Sequence, residues 1–376
     1  MRQQRRGSLI GECVVRQWQV QSVDQLDAER ISQWWELLDN TPEFESPYFT
    51  PTYVQTVARV LPNVEVAFLA DGKRLYAVFP FERLHGNVAG AVGRTLADYQ
   101  GIIYREGTSI DPTALLHAAQ LVRWEFDHVF PVKQPLESNC WAVWSSPQMD
   151  FSKGHQAYID KVYDRSANLK KTVRTGQNRM TKAFGALTAG KQQCESDLLE
   201  PLLQWKCDQY EAQHRKHPFR EPWVRELLRL WMQQTDDRFR GEIVYLKAAD
   251  KPVALHYCLR STTVSHFLVN TYDFDSARYS PGLVSMLMAA ETGAYGDVQR
   301  VDFGKGLESY KSRLATAETM VGEGCVDLNH TRYVLNQTLQ RSRYRFLRSQ
   351  WADPVRSLAR RAAAKVPAVR TLLHMR

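Results

Sequence analysis

A β-hairpin pattern that occurs twice constrains the fold more than any other feature of the chain. One predicted hairpin turns at Asp71-Gly72 and the other at Asp250-Lys251, 179 residues further along. In each, alternating apolar residues flank the turn, as they do in two paired strands. Further strand and a helix follow both hairpins. This recurrence favours two copies of one α/β unit in tandem, although α/β domains commonly share such an order of elements.

The length of the chain also supports two domains. A single core usually serves roughly 100–200 residues, whereas this chain has 376 residues, of which 44% are apolar. We therefore predict one α/β domain at 1–150, a second at 151–330, and a separate helical tail at 331–376.

Local signals predict where several helices begin. Ser22 and Gln25 have the spacing of a capping box, which predicts a helix over about 23–38. Thr50-Pro51 has the form of an N-cap followed by proline at the first helical position, and predicts a second helix. In the second half, the apolar periodicity predicts a long helix over about 155–182.

The positive charge of the chain is concentrated in the tail. The whole chain carries +8, but residues 331–376 hold eleven Lys or Arg and one acid, so residues 1–330 carry −2. Apolar residues recur every three or four positions from Tyr344 onward, which predicts basic amphipathic helices. Such helices could lie on an anionic membrane or bind a partner. They could also pack on the body or, as the least expected alternative, contact nucleic acid.

Other patterns predict a cytoplasmic protein without a membrane span. The basic start of the chain is not followed by an apolar segment of the kind found in signal peptides. The chain has no uncharged apolar run of about 18 residues, the length that a membrane-spanning helix needs. Its six cysteines are scattered without close pairs, which favours reduced thiols over disulfides or a zinc site.

A metal site at His214 and His217 is not predicted. Their spacing is compatible with metal binding, but Arg215 and Lys216 lie between them, and positive charge opposes a divalent cation. We expect these residues to form a solvated helix end.

The loop at 278–282 (Arg-Tyr-Ser-Pro-Gly) is the first candidate for binding chemistry. It lies between a predicted strand and a predicted helix, so the free N–H groups of the helix N-terminus could bind a phosphate. The alternative is an ordinary turn, because Pro-Gly before a helix is common in turns.

The segment 301–311 is the second candidate. A short predicted strand ends at Gly304-Lys305-Gly306, and Glu308, Tyr310 and Lys311 follow at once. An acid, a phenol and an amine at the carboxyl end of a strand are well placed for proton transfer to a bound ligand. The alternative is a capped helix with ordinary surface charges. The segment lacks the residues of a phosphate-binding P-loop.

Several segments together resemble CelD-like (BioF2-like) acyltransferases of the GNAT superfamily, which are related to the FemABX aminoacyltransferases. The segments that carry the resemblance are 46–51, 96–101, 168–171 with Gly185, 272–282 and 302–311. The resemblance covers about 20–330. It implies an α/β (α+β) fold of tandem GNAT-like domains, each with a mixed, mostly antiparallel sheet flanked by helices.

The resemblance also implies a donor site in the second domain. Acyl-CoA, for example acetyl-CoA, would place its pyrophosphate on Arg278, Ser280, Gly282 and Leu283. The usual pyrophosphate loop of GNAT enzymes has no proline at the position of Pro281, which lacks an N–H. FemABX relatives use aminoacyl-tRNA, so that donor stays an alternative.

In this scheme an amine or hydroxyl of the acceptor attacks the thioester carbonyl, and backbone N–H groups stabilise the oxyanion. Asp302 and Tyr310 are the acid–base candidates, and Lys311 would orient or neutralise an anionic group. No metal is required.

Asp98 and Tyr99 would line the acceptor side, and a structural turn is the alternative for that pair. His256 could face the cleft, although a hydrogen-bonded core histidine is the more common case.

The resemblance implies an N- or O-acetyltransferase. Its acceptor would be a sugar, an amino sugar or a lipid-linked molecule of envelope or exopolysaccharide metabolism. The alternatives are an aminoacyl-tRNA-dependent transferase and a non-catalytic scaffold. In either case the tail at 331–376 could hold the protein at the inner face of the membrane.

Overall fold

A computed structural model describes residues 16–71, 74–194, 196–306 and 308–348. Gly72 of the first predicted turn and residues 349–376 of the predicted tail lie outside these ranges.

The described residues form one sheet of thirteen strands. Its strands in chain order are β1 Gln17–Ser22, β2 Val64–Ala70, β3 Leu75–Leu84, β4 Val88–Gly90, β5 Ile103–Tyr104, β6 Arg123–Val129, β7 Cys140–Asp150, β8 Leu187–Gln192, β9 Arg240–Ala248, β10 Lys251–Arg260, β11 Val264–Tyr272, β12 Arg300–Asp302 and β13 Ala317–Asp327.

The helices of the described residues pack on both faces of this sheet. They are α1 Ala28–Asp39, α2 Pro51–Ala58, α3 Pro112–Ala118, α4 His155–Arg165, α5 Ala167–Phe184, α6 Leu199–Ala212, α7 Pro222–Met232, α8 Pro281–Glu291, α9 Ser309–Leu314 and α10 His330–Arg348.

The strand order joins the two halves of the chain. It runs β1-β2-β3-β4-β6-β13-β7-β12-β11-β10-β9-β8, with β5 beside β3. Neighbouring strands are antiparallel except for the parallel pairs β4–β6 and β11–β12. Mixed, mostly antiparallel strands with helices on the faces confirm the predicted fold class. Because β7 pairs with both β12 and β13, the sheet is continuous across residue 150, and the domain boundary there stays a prediction.

Alternate residues of β9 and β10 face two different cores. Ile243 and Tyr257 belong to the core that includes residues of α6 and α7, whereas Val244 and Ala254 belong to the core that includes residues of α4, α5 and α8. Successive side chains of a strand point to opposite faces. Helices α6 and α8 therefore cover opposite faces of the same strands.

The local predictions hold at one helix start and fail at another. Thr50 caps α2 as predicted, and its Oγ1 accepts a hydrogen bond from Tyr53 N at 3.2 Å. The capping box predicted at Ser22 is wrong. The helix begins at Ala28, because Asp27 accepts from Arg30 N at 2.8 Å, and aspartate is at least as good an N-cap as serine.

The long helix predicted over 155–182 is two helices, α4 and α5. Ser166 has an extended backbone between them, and its side chain accepts a hydrogen bond from Leu169 N at 3.2 Å. Since Ser is a strong N-cap residue, it starts a new helix here rather than continuing the old one. Apolar periodicity alone does not reveal this break.

The second hairpin is confirmed, with its turn one residue earlier than predicted. Lys251 already belongs to β10, and Ala249-Asp250 makes the turn. Ala249 has φ +50°, a left-handed conformation. The first hairpin has its two strands, β2 and β3, as predicted.

Helix α10, the first part of the predicted tail, packs on the body. It contacts β7 and β13, its Tyr344 ring lies 5.6 Å from the Trp144 ring, and Tyr333 donates to Ser138 O at 3.2 Å. Leu335 and Leu339 point away from these contacts and are 61% and 69% exposed. Packing on the body therefore applies to this helix, and membrane contact of the tail stays a prediction.

Strand β13 fits closely between β6 and β7, and Gly324 makes this fit possible. A Cβ added there would overlap the Asn139 carbonyl oxygen and lie 2.6 Å from Phe126 Cε2. We expect Gly324→Ala to destabilise the protein by about 2 kcal/mol, measured by urea denaturation at constant slope. Gly282→Ala is the control, because its added Cβ would meet only Tyr272 Cδ1 at 3.9 Å. Equal stability of the two variants would contradict this account.

Candidate functional site

A gap opens in the sheet where β11 and β12 separate. The two strands pair in parallel from Val264 to His266. After Asp302 the chain turns away at Gly304, whose φ of +69° is a conformation that glycine adopts without strain. A cavity of about 710 Å³ fills the gap, and residues of α8 and α6 line it. Since these helices cover opposite faces of the sheet, side chains from both faces line the cavity.

Asp302 holds the chain segments behind this gap together. The residue is 2% exposed. One oxygen accepts from Tyr99 Oη and Gln148 Nε2, both at 2.7 Å, and the other accepts from Ser146 Oγ at 2.6 Å and Gly304 N at 2.8 Å. A carboxylate has about four acceptor sites, so the protein itself occupies them. Asp302 therefore fixes β7, β12 and the segment before β5 relative to one another.

Asp98 connects this network to the cavity. Its Oδ2 lies 2.9 Å from Nε2 of the fully buried His266, whose Nδ1 lies 3.7 Å from Asp302 Oδ1. The Asp98 side chain is 27% exposed and lines the cavity. Burial raises the pKa of Asp98, but the hydrogen bond and charge of His266, with the charges of His128 and Lys311, lower it below its ordinary value. Asp98 is therefore ionised at neutral pH.

Lys311 shapes the loop between β12 and α9. It is 4% exposed, and its Nζ donates to the carbonyl oxygens of Gly304 at 3.0 Å and Lys305 at 3.1 Å. The third partner is Glu308, whose carboxylate lies 3.1 Å away. An ammonium group has three donors, so Lys311 is fully engaged by the protein.

Tyr310 lines the cavity beside a row of polar side chains. Its hydroxyl accepts from Asn270 Nδ2 at 3.4 Å. Burial first, and then the charge of Glu308, raise the pKa of Tyr310, so the phenol stays protonated at neutral pH. His256 Nδ1 lies 2.9 Å from Asn270 Oδ1, and its Nε2 lies 2.9 Å from Ser285 Oγ. Burial lowers the pKa of His256 to about 4, so this ring is neutral and its nitrogens are already paired.

The first turn of α8 forms the opposite wall of the cavity. Ser280 has φ +57° and Pro281 is the first helical residue. The N–H groups of Gly282 and Leu283 belong to the first turn, where no helical acceptor exists. Both residues line the cavity. This positive end of the helix therefore offers two donors to an anionic group.

The cavity collects most of the residues predicted from the sequence. Those that line it are Asp98, His256, Ser280, Gly282, Leu283, Tyr310 and Lys311. Tyr99 and Asp302 lie directly behind it. Arg278 is exposed and lies against the Tyr279 ring, 4.8 Å from the ring centre to Cζ, outside the cavity lining.

Sequence reasoning missed the residues that complete the network. His266, Ser146 and Gln148 lie on strands in runs that show no recognisable motif, and Asn270 follows on the same strand as His266. The partners Asp98 and His266 are 168 residues apart in the chain. The polar residues of β11 interrupt an otherwise apolar strand, and this is the signal that could have indicated a polar lining; they are Ser265, His266, Asn270 and Thr271.

Several other site types have no counterpart within the described ranges. No group of three or more His, Cys, Asp or Glu side chains there is arranged to hold a metal ion. No helix in that part of the chain is both long enough and apolar enough to cross a bilayer. The five cysteines described are free thiols, and only Cys194 is exposed.

Comparison with known proteins identifies the class of the second half of the chain. Residues 167–312 match the family model described as an acetyltransferase (GNAT) domain. This match includes α8 and the segment after β12, and it confirms the predicted enzyme class, a GNAT-type acyltransferase. No curated protein matches the chain.

The solved structures with a similar fold include the following two. One is FemX, with a TM-score of 0.54 and 8% identity, and the alignment covers 82% of this chain and 98% of FemX. The other is the C-terminal DUF2156 domain of a protein assigned as a lysylphosphatidylglycerol synthetase from Agrobacterium fabrum. That domain has a TM-score of 0.50 and 11% identity, and the alignment covers 86% of this chain and 98% of the domain. At these identities the similarity concerns the fold alone.

Proposed function

We propose that the protein transfers an acyl group from acyl-CoA to an amine or hydroxyl of a second substrate. The observation that carries this proposal is the cavity between β11 and the segment after β12. It has free helix N–H groups at one wall, and Asp98 and Tyr310 at the gap in the sheet. It lies within the part of the chain that matches the GNAT domain, except for Asp98.

The donor enters from the face covered by α8. Its pyrophosphate binds the N–H groups of Gly282 and Leu283, because a helix N-terminus favours negative charge and supplies unpaired donors. Pro281 contributes no N–H. The first turn of α8 therefore offers two backbone donors, whereas another residue type at position 281 would add a third. The thioester then lies in the gap beside Tyr310.

Acyl transfer needs one proton to be taken up and one to be returned. The nitrogen or oxygen of the acceptor forms a bond to the thioester carbonyl carbon and loses a proton to Asp98, which is ionised and open to the cavity. As the carbon–sulfur bond breaks, the leaving thiolate takes a proton from Tyr310. Backbone N–H groups at the gap stabilise the oxyanion.

Asp302, Tyr99 and Lys311 support this reaction by positioning other groups. Asp302 is saturated with hydrogen bonds and 2% exposed, so it holds Tyr99 and Gln148 rather than exchanging a proton with substrate. Lys311 holds the loop carbonyls of Gly304 and Lys305. His256 fixes Asn270 next to Tyr310.

The acceptor class follows from the resemblance to CelD-like and BioF2-like enzymes. We propose a sugar, an amino sugar or a lipid-linked molecule of envelope or exopolysaccharide metabolism. The protein would then act in the cytoplasm, with its basic tail at the inner face of the membrane.

A second candidate donor is an aminoacyl-tRNA. Pro281 favours it, because this residue removes one N–H group from the loop that binds the pyrophosphate of CoA. The surface of α5 also favours it: this helix packs against α8, and it presents exposed basic residues and no acidic ones. These residues are Lys170, Lys171, Arg174, Arg179 and Lys182. Such a surface would bind the phosphates of a nucleic acid.

Thiol release from acyl-CoA tests the proposed function. The purified full-length chain is incubated with acyl-CoA of several chain lengths and a panel of amine and hydroxyl acceptors, and free thiol is followed. We expect acceptor-dependent thiol release with at least one pair. Absence of CoA binding, together with transfer from aminoacyl-tRNA, would replace the donor by the second candidate.

Gly282→Ala tests the position of the donor. We expect it to weaken CoA binding about tenfold, because the added methyl group occupies the place of the pyrophosphate. Folding stability should not fall, since the methyl group has room and alanine favours the helix. Calorimetric titration with CoA gives the affinity. Thr292→Ala at the other end of α8 is the control, and equal affinities for the two variants would place the pyrophosphate elsewhere.

A further inference from the structure

Two cations line the cavity on the face opposite α8. Lys206 lies on α6, and Arg215 follows in the loop after that helix. Both line the cavity, together with Gln209, Tyr210 and Gln213. They are therefore placed to meet a ligand that enters from the side opposite the donor.

Among the residues that the structure describes, neither cation forms an ion pair with a carboxylate. Within the described part of the chain, no carboxylate oxygen lies within 4.0 Å of Lys206 or Arg215. Lys206 Nζ donates to Asn270 O at 2.9 Å and to Gln209 Oε1 at 3.3 Å, which leaves one of its three donors unused. The nearby Glu308 is already paired with Lys311 at 3.1 Å.

Both cations also lie beside the same aromatic ring. Lys206 Nζ is 5.0 Å and Arg215 Cζ is 4.9 Å from the centre of the same Tyr210 ring. Burial first, and then the charge of Arg215, lower the pKa of Lys206 to about 8, although Glu308 raises it. A bound anion would relieve both effects, because it pairs with the charged forms.

We infer that Lys206 and Arg215 bind an anionic group, a carboxylate or a phosphate, of the second substrate. This inference rests on the proposed function, in which the donor pyrophosphate occupies the α8 side of the cavity. The two sites lie on opposite faces of the sheet, so the anion bound at α6 belongs to the other reactant. The guanidinium of Arg215 gives two parallel donors to such a group, and Lys206 adds a point charge.

Inorganic phosphate is the probe for this site. The full-length protein is saturated with CoA, which fills the α8 side, and phosphate is then titrated by calorimetry. We expect binding that Lys206→Met and Arg215→Gln each weaken about tenfold, a loss of about 1.4 kcal/mol. Lys206→Arg should restore binding, and Lys216→Gln, which changes the next charge along the same loop, should leave it unchanged.

Folding stability separates binding from a structural role. A half-buried charge without an ionic partner does not stabilise the fold, so Lys206→Met should unfold at the same urea concentration as the parent chain or a higher one. A loss of stability that accompanies the loss of phosphate binding would overturn the inference.

Three further results would also overturn it. They are the absence of phosphate binding, binding that both variants leave unchanged, and displacement of CoA by phosphate. A tenfold preference for succinyl-CoA over acetyl-CoA that Arg215→Gln removes would assign the anion to the acyl group of the donor. If CoA itself does not bind, the proposed donor fails, and titration of phosphate without CoA still decides whether Lys206 and Arg215 bind an anion.

Discussion

Asp98→Asn is expected to lower the rate of acyl transfer about 100-fold, the lower end of the range for loss of a general base. The amide keeps the shape of the side chain and its contact with His266 but cannot take a proton from the acceptor. Single-turnover thiol release at saturating acyl-CoA measures the effect on the chemical step.

Two controls make this result specific. CoA affinity should stay unchanged, because Asp98 lies across the cavity from Gly282 and Leu283. Asp275→Asn, which removes an exposed carboxylate in the loop before α8, should keep the rate. A rate within threefold of the parent chain for Asp98→Asn would exclude Asp98 as the base and leave the acceptor to arrive already deprotonated.

The pH profile gives a second view of Asp98. Its pKa is lowered, so the carboxylate stays charged until the pH falls below the ordinary range of aspartate. We therefore expect the rate to be constant on the acid side down to that range. A decrease beginning near pH 6–7, the ordinary range of histidine, would indicate that a histidine takes the proton instead.

Asp302→Ala is expected to destabilise the fold by about 3–5 kcal/mol, because several buried donors lose their acceptor at once. Tyr99, Ser146 and Gln148 would lose their acceptor in a place that water reaches poorly. Each buried donor without a partner costs about 1–3 kcal/mol. Urea unfolding at unchanged slope measures the loss.

Asp302→Asn separates the two roles of this side chain. The amide oxygen still accepts from two donors, so we expect roughly half of the destabilisation seen for Asp302→Ala. If Asp302 acted as the acid or base in catalysis, Asp302→Asn would abolish transfer in spite of its better stability. If it positions Tyr99 and Gln148, transfer should be partly retained and should fall only in proportion to the loss of stability.

The sequence predicted the features whose physical cause is local. Thr50 and Pro51 start a helix because one side chain and one ring satisfy the helix N-terminus by themselves. The hairpins follow from alternating residues around a turn. The helix start predicted at Ser22 is wrong because Asp27, a competing cap five residues later, directly precedes α1 and caps it.

In the candidate site, too, the residues that lie close together in the sequence were predicted, and those joined only by the fold were not. Tyr310, Lys311 and Asp302 stand within one short segment and were recognised together. His266, Ser146 and Gln148 reach Asp302 only through strand pairing, since β7 lies against β12 and β12 lies against β11. Lys206 and Arg215 line the cavity only because α6 packs on β11. Contacts of this kind depend on the register of distant strands, which one sequence does not specify.

The position of β13 between β6 and β7 affects how the chain folds during synthesis on the ribosome. Strands β6 and β7 are made early, yet the strand that joins them is completed only at Asp327. Until then both have open edges that can pair with other chains. We therefore expect a chain stopped after residue 150 to aggregate rather than fold, and nascent chains to stay dependent on chaperones until β13 has left the exit tunnel.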